Sequence, residues 1–338
     1  MPKVSVILPM HNAERFLKKS IRSILAQSFS DFEVIIINDG STDNSLRIVE
    51  SFRDKRIKIL NNSKKIGISN SLNLGIQNSS GEYIARMDAD DICLYDRLKV
   101  QNSFLDRHLN VDVVGSYFKT FWYTIPRKIC PPIEDNHIKA GLLFNPVLGH
   151  PVVMMRKSSL LSNELSYNSH YDGAEDYELW VRSSSKLCFA NIPEILLLYR
   201  IHPKQISSKN RQKQMKIADS IRLEYISKLN ITLTEKEKEI HLGVCRNDIN
   251  FLNEIGNDEV LKWKNALINQ VSSKELSDAF FDEIHKRLKV IYEKNIFKLS
   301  LRKRVKEIIL KMNQDRDRGL PPLPHHRACG SAPGGSKS

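Results

Sequence analysis

Over roughly the first ninety positions, short β-branched runs alternate with apolar stripes at helical spacing. Val4 to Leu8 reads as a buried strand and is closed by Pro9-Met10-His11-Asn12. Phe16, Ile21, Ile24 and Leu25 then recur at the period of a helix. Phe32 to Ile37 predicts a second strand. Its continuous apolar run suits the centre of a parallel sheet, where both faces are covered. The run breaks at Asn38-Asp39-Gly40-Ser41-Thr42-Asp43. Leu46, Ile48, Val49 and Phe52 mark the next helix, with Ser41 or Asp43 placed to cap it. Ile57 to Leu60 predicts a third strand, Ile68 to Gln77 a helix, and Tyr83 to Met87 a fourth strand. Such a β-α-β-α-β-α-β order calls for an open, doubly wound α/β sheet whose ligands gather at the carboxyl ends of the strands.

Farther along, Leu98, Phe104 and Leu105 predict a helix and Val111 to Ser116 a strand. The polar, proline-bearing interval from Thr124 to Asn136 reads as a loop over the sheet face. His150 orders a loop before Pro151, Val152 to Met155 is an apolar run, and Ile195 to Tyr199 predicts a last strand. From about Gln205 the chain becomes rich in Lys, Glu, Leu and Ile at helical spacing. The expected organisation is a catalytic α/β domain over residues 1–205 and a helical, basic region over 206–312. Residues 313–338, rich in Pro, Gly and Ser, read as a disordered tail or an artificial extension.

Composition narrows the function classes. The 338 residues carry a formal net charge of +13, which invites nucleic acid, an anionic membrane surface or phosphorylated substrates. Nucleic acid is set aside because no binding motif is present. The basic stretch from Ile284 to Met312 is either a helix resting on a membrane or a solvated face. No apolar run approaches the length of a membrane span, and the first residues do not form a secretory leader. Five scattered cysteines with no C-x-x-C pair fit free thiols in a reducing compartment, so the expected location is cytoplasmic. Neither G-x-G-x-x-G nor G-x-x-x-x-G-K-[ST] occurs, which argues against a nicotinamide enzyme and a P-loop nucleotidase.

The candidate chemistry lies in Gly81 to Asp91, where the fourth strand delivers Asp88-Ala89-Asp90-Asp91. If strand alternation continues through it, Asp88 and Asp90 share a face. Two carboxylates so placed hold a hard divalent cation, and a substrate diphosphate supplies further oxygens. Taken alone, the same residues are an acidic turn.

These residues resemble the inverting glycosyltransferases of family 2, of the bacterial polysaccharide or O-antigen type, with the nucleotide-sugar-binding GT-A fold. The similar elements are Val4 to Asn12, Ile37 to Asp43, Gly67-Ile68-Ser69 with Asn73, Gly81 to Asp91, His150-Pro151, Glu175-Asp176 and Tyr199 to His202. Together they cover about the first 205 residues. The implied fold is Rossmann-like, an open, twisted, mostly parallel sheet with flanking helices, followed by the helical region.

The resemblance implies that Asp39 accepts a hydrogen bond from a uracil imide, with Pro9 and Asn12 lining the base pocket. Glu14, Gly67, Asn73 and Arg86 join the donor site. Asp88 lies near the ribose, Asp90 holds Mn2+ or Mg2+, and His202 is a further ligand or a diphosphate contact. Asp176 is the general base. The motif begins Asn38-Asp39 where many relatives carry two acids, which leaves the base contact less defined. By residue type alone, Asp39 makes an Asx turn and Asp176 is a first-turn acid that favours its helix.

The implied partners are a UDP-linked sugar and a glycan acceptor, lipid-linked, met on the inner face of the cell membrane in O-antigen or capsule synthesis. A sugar-phosphate nucleotidyltransferase is the competing enzyme class, though it favours a basic Gly-rich loop after the first strand, unlike Pro9 to Asn12. A catalytically silent glycan- or membrane-binding module is the non-enzymatic alternative, and the intact Asp88, Asp90 and Asp176 argue against it.

Overall fold

The computed structural model describes residues 1–122, 125–203, 205, 211–271 and 273–296. The expected alternation is present as β1 (Val4–Met10), α1 (Glu14–Leu25), β2 (Phe32–Asp39), α2 (Ser45–Glu50), β3 (Ile57–Asn62), α3 (Ile68–Gln77) and β4 (Tyr83–Arg86). The chain continues through β5 (Ile92–Cys93), α4 (Arg97–Arg107), β6 (Val113–Trp122), β7 (Lys128–Ile129), α5 (Asp135–Gly141) and a 3₁₀ turn at His150–Val152. Next come β8 (Met154–Arg156), α6 (Lys157–Ser162), a 3₁₀ turn at Ser169–Tyr171, α7 (Glu175–Ser183) and β9 (Phe189–Ile201). The helical region supplies α8 (Arg211–Lys228), α9 (Glu235–Arg246), α10 (Ile249–Ile255), α11 (Asn257–Ile268) and α12 (Lys274–Ile296). None of the described helices is long and apolar enough to cross a membrane.

The sheet runs β3-β2-β1-β4-β8-β6-β9-β5, with β7 paired to β6. Strands β3, β2, β1 and β4 are mutually parallel, so their carboxyl ends open on one edge. Strand β8 is antiparallel to both β4 and β6, and β6 is parallel to β9. Both faces are covered, as the apolar run in β2 requires. Ile35 and Ile37 join one core with Ile7 and Ile84, while Val34 and Ile36 join the other with Val6, Leu8 and the inner stripe of α1, Leu17, Ile21 and Ile24.

Pro9 lies inside a central strand without breaking it. The Ile7 carbonyl still accepts from Met87 N–H at 3.0 Å, but β4 has turned away two residues later, where Pro9 offers no N–H.

Some expectations are corrected. The strand expected at Val111 to Ser116 is Val113–Trp122, and part of the expected loop is β7. The Thr120 and Arg127 backbones close that hairpin, with Thr120 N–H donating to the Arg127 carbonyl at 2.9 Å. The last strand begins at Phe189, because the register shift opposite Ser116 and Tyr117 absorbs Pro193 as a bulge instead of ending the strand. Val152 to Met155 divides between a 3₁₀ turn and β8.

The helices after residue 205 share a core with the sheet. Trp263, Phe280, Ile284 and Ile291 join Phe144 and Trp180 in one cluster. Three of their side chains satisfy carbonyls in and just after α5, two of them buried. Tyr225 Oη donates to Lys139 O at 3.1 Å, His241 Nε2 to Leu143 O at 3.0 Å, and Arg222 Nε to Phe144 O at 2.7 Å. Burial holds His241 down at about 3, so its ring is neutral and Nε2 carries the proton. Of the basic stretch, Lys286 and Arg287 face Glu283 at 3.7 and 2.7 Å, and the residues beyond 296 lie outside the described ones.

Candidate active site

Two strand ends build a rigid wall. Asp39 closes β2 opposite Asn62 and is 4% exposed. Its Oδ1 accepts from Ile66 N–H at 2.8 Å and Asn62 Nδ2 at 3.1 Å, and Oδ2 accepts from Gly67 N–H at 3.1 Å. One carboxylate thereby ties the β3–α3 loop to the end of β2. Gly67 has a φ of 93°, and a Cβ there would meet Asp172 Oδ2 at 2.4 Å. That carboxylate in turn accepts from the Ser69 hydroxyl at 2.5 Å. Across the gap, Asn12 Oδ1 accepts from Thr42 N–H at 2.8 Å, and Glu14 Oε2 accepts from the Asn44 backbone and amide at 3.1 and 2.9 Å.

The acidic stretch is a turn, not a strand. Strand β4 ends at Arg86, so the expected strand alternation does not carry Asp88 and Asp90 to one face. The turn gathers them instead: one oxygen from each of Asp88, Asp90 and Asp91 lies within 4.8 Å of the others. Asp90 Oδ2 is 2.9 Å from His202 Nε2, just past β9. Asp91 is fully buried; Oδ1 accepts from Arg200 N–H at 2.7 Å, while Oδ2 has no hydrogen-bond partner. The Arg200 side chain locks the turn, donating from Nε to Asp90 O at 2.6 Å. Its guanidinium lies 4.4 Å from the Phe16 ring, 4.5 Å from Phe121 and 4.9 Å from Trp122.

Burial pushes the Asp90 and Asp91 carboxyls up and the neighbouring Asp88 adds to it, while His202 draws Asp90 back. Crowded acids, an imidazole and an unpartnered buried oxygen fit a hard divalent cation. The 2.9 Å between Asp90 Oδ2 and His202 Nε2 is close to the roughly 3 Å that separates neighbouring ligands on an octahedral ion with bonds of about 2.1 Å.

A second acidic group opens α7. Glu175 Oε2 accepts from Gly173 N–H at 2.7 Å, and Asp176 Oδ1 from Tyr177 N–H at 2.8 Å. Buried His150 stands 3.7 Å from Glu175 through Nδ1 and 3.0 Å from Tyr167 Oη through Nε2. Helix position alone would lower both carboxyls. Burial outweighs it, raising Glu175 to about 7 with help from Asp176, and raising Asp176 as well. Burial and the Arg86 charge hold His150 well below its ordinary value, so the ring is neutral.

Arg86 connects the two groups. It is buried, with Nη1 2.5 Å from Asp88 Oδ2 and Nε without a hydrogen-bond partner. Burial works against its charge, but Asp88 overrides that and raises its pKa. The same charge lowers Asp91, Glu175 and Asp176.

The structure therefore brings Arg86, Asp88, Asp90, His202 and Asp176 into one electrostatic unit, with Pro9, Asn12, Glu14, Asp39 and Gly67 on the adjoining strand ends. Asn73 instead braces the Tyr167 backbone. Its amide donates to Tyr167 O at 2.8 Å and accepts from Tyr167 N–H at 2.9 Å. Sequence reasoning gave no site role to Asp91, Tyr167 or Arg200, read Glu175 only as an acid favouring its helix, and read His150 only as ordering a loop. Asp91 and Glu175 each stand beside an assigned acid, which was a usable signal; Tyr167 carries none.

A family model described as glycosyl transferase family 2 matches residues 5–160. The chain is 36% identical over 253 residues to an uncharacterised glycosyltransferase of Haemophilus influenzae, spanning 69% of this chain and 77% of that protein. It is 31% identical over 215 residues to the Escherichia coli UDP-Glc:alpha-D-GlcNAc-diphosphoundecaprenol beta-1,3-glucosyltransferase WfgD, spanning 63% of this chain and 82% of that one. Among solved structures, S. aureus TarS 1–349 in complex with UDP-GlcNAc superposes with a TM-score of 0.58 at 21% identity, covering 86% of this chain and 90% of that chain. That last likeness is one of fold.

Proposed function

Since the chain belongs to glycosyl transferase family 2, we propose that it moves a sugar from a UDP-linked hexose or N-acetylhexosamine to a glycan hydroxyl with inversion. The observation that carries this reading is the buried Arg86, which couples the Asp88-Asp90-Asp91 turn to the acids at the start of α7. Residues 1–205 carry donor binding and the chemistry, and the described helices from α8 onward brace them.

The base sits against Pro9, Asn12 and Asp39. Asp39 already accepts three N–H groups, and a carboxylate has about four lone-pair sites, so one remains for a uracil imide. Asp88, held by Arg86, lies toward the ribose. Asp88, Asp90, Asp91 and His202 would hold Mn2+ or Mg2+, whose charge would stabilise the diphosphate as a leaving group. Asp176 takes the proton of the acceptor hydroxyl as its oxygen bonds to the anomeric carbon from the side opposite the diphosphate. The bond from that carbon to the diphosphate oxygen breaks, and its electron pair leaves with UDP. Glu175 and the neutral His150 hold the start of α7 against Tyr167. The name of the E. coli relative contains both UDP-Glc and a diphosphoundecaprenol-linked sugar, which supports a lipid-linked acceptor, met at the cytoplasmic face of the cell membrane in surface-polysaccharide synthesis.

A screen of nucleotide sugars with Mn2+ or Mg2+, reading release of free nucleotide, tests the reading. UDP release from a UDP-sugar is expected, with most of it lost in Asp90→Asn. Undiminished turnover after exhaustive chelation would remove the metal from the scheme, and no nucleotide release from any donor would remove the transferase.

A further inference from the structure

The β6–β7 hairpin leaves the sheet beside the acidic turn and carries a surface that the chemistry above does not use. Trp122 ends β6 half exposed, at a φ of 94° that side-chain-bearing residues seldom adopt. One side of it is anchored to the site, with its ring 5.9 Å from Phe16 and 4.9 Å from the Arg200 guanidinium. Ile125 is 81% exposed. Lys119, Arg127 and Lys128 are exposed around them, and Lys119 stands opposite Lys128 in the strand register. Like charges directly opposite in a sheet cost stability. No Asp or Glu occurs between Val113 and Ile133, and none of these three cations forms an ion pair among the described residues. Lys128 lies over the Tyr117 ring at 5.0 Å.

We propose that this hairpin rests on an anionic lipid bilayer, which places the membrane surface at the mouth of the donor site. The proposal deepens the function read above and rests on it for the lipid-linked acceptor. Tryptophan favours the water–lipid boundary, an exposed isoleucine gains by shallow insertion, and lysine and arginine are drawn to anionic headgroups. Either signal alone binds weakly, and the two together suffice for reversible attachment. A protein partner fits less well, because among the described residues of the hairpin only Trp122 and Ile125 expose large apolar side chains, far short of the roughly 1,000 Å² a stable interface needs. A second copy of this chain would set the same cations against each other.

The chain has three tryptophans, and Trp180 and Trp263 are fully buried. Emission from the exposed Trp122 is therefore a direct probe of the tip. The full chain is mixed, without donor or acceptor, with phosphatidylcholine vesicles with and without phosphatidylglycerol. Sedimentation with the anionic vesicles and a blue shift in emission are expected, both weakened by salt. A variant combining Lys119→Gln, Arg127→Gln, Lys128→Gln and Ile125→Ser should bind about a hundredfold more weakly while releasing UDP at the wild-type rate. If that variant melts early, the three charge substitutions alone serve, since each lies on the exposed surface. Vesicle binding undiminished in the variant, binding without an emission shift, or no binding by the full chain at low salt would each overturn the proposal. Because these readouts need no turnover, a failed donor screen and a failed membrane test remain distinct.

Discussion

Replacing Arg86 with methionine removes the buried cation shared by the two acidic groups while keeping a side chain of similar length. Losing one partner of a buried ion pair costs about 3–5 kcal/mol. The Asp88 side chain is 27% exposed, so water screens part of its stranded charge, which puts the loss near the lower figure, about 3 kcal/mol. Against a typical stability of about 5–15 kcal/mol the variant stays folded. A second effect follows from charge. Arg86 lowers Asp176 and Glu175, so without it carboxyls already raised by burial rise further. A base that must be ionised then loses its proton only at higher pH, and the acid limb of the turnover profile moves to higher pH. Urea denaturation measures the first effect, and UDP release across pH at saturating donor measures the second. A stability loss under about 1 kcal/mol together with an unmoved acid limb would show that the two acidic groups are independent.

Asp176→Asn keeps shape and removes basicity; turnover should fall about a hundredfold to ten-thousandfold with donor affinity nearly unchanged, and turnover within a few-fold of wild type would reduce Asp176 to a helix acid. Glu175 gives a stability prediction. Its carboxyl is raised to about 7 in the folded chain against about 4.3 unfolded, so the folded state keeps a proton that the unfolded state releases. The resulting stability is present at acid pH and is lost as pH climbs from about 4.5 to 7. Glu175→Gln should flatten that decline in melting temperature, and equal slopes in the two proteins would count against it.

What was legible in the sequence was local. The β-branched runs located β1 to β4, and polar residues at their ends located the wall around Asp39. Contacts spanning about a hundred residues left no such trace. The bond from Arg200 N–H to Asp91 and that from Ser69 to Asp172 join segments far apart in sequence, yet they fix the turn and the Gly67 loop. The carboxylates of the acidic run do gather, as expected, though by another geometry. Alternation implies a shared strand face, whereas the turn, closed by Arg200, brings the carboxylates together. Asn73 shows another contact hidden from the sequence: both ends of its amide engage the Tyr167 backbone.

The hold of Tyr225, His241 and Arg222 on the carbonyls of Lys139, Leu143 and Phe144 separates two notions of a domain. The stretch matched by the family model, residues 5–160, is a unit of descent. It is not a unit of folding, because cutting away the later helices would bare Phe144 and strand the buried carbonyls of Leu143 and Phe144 at once. The helical region is part of the interior that it shares with the sheet. Exchanging the region between relatives, as one exchanges a tethered module, would therefore mean repacking the floor on which the loop to His150 stands.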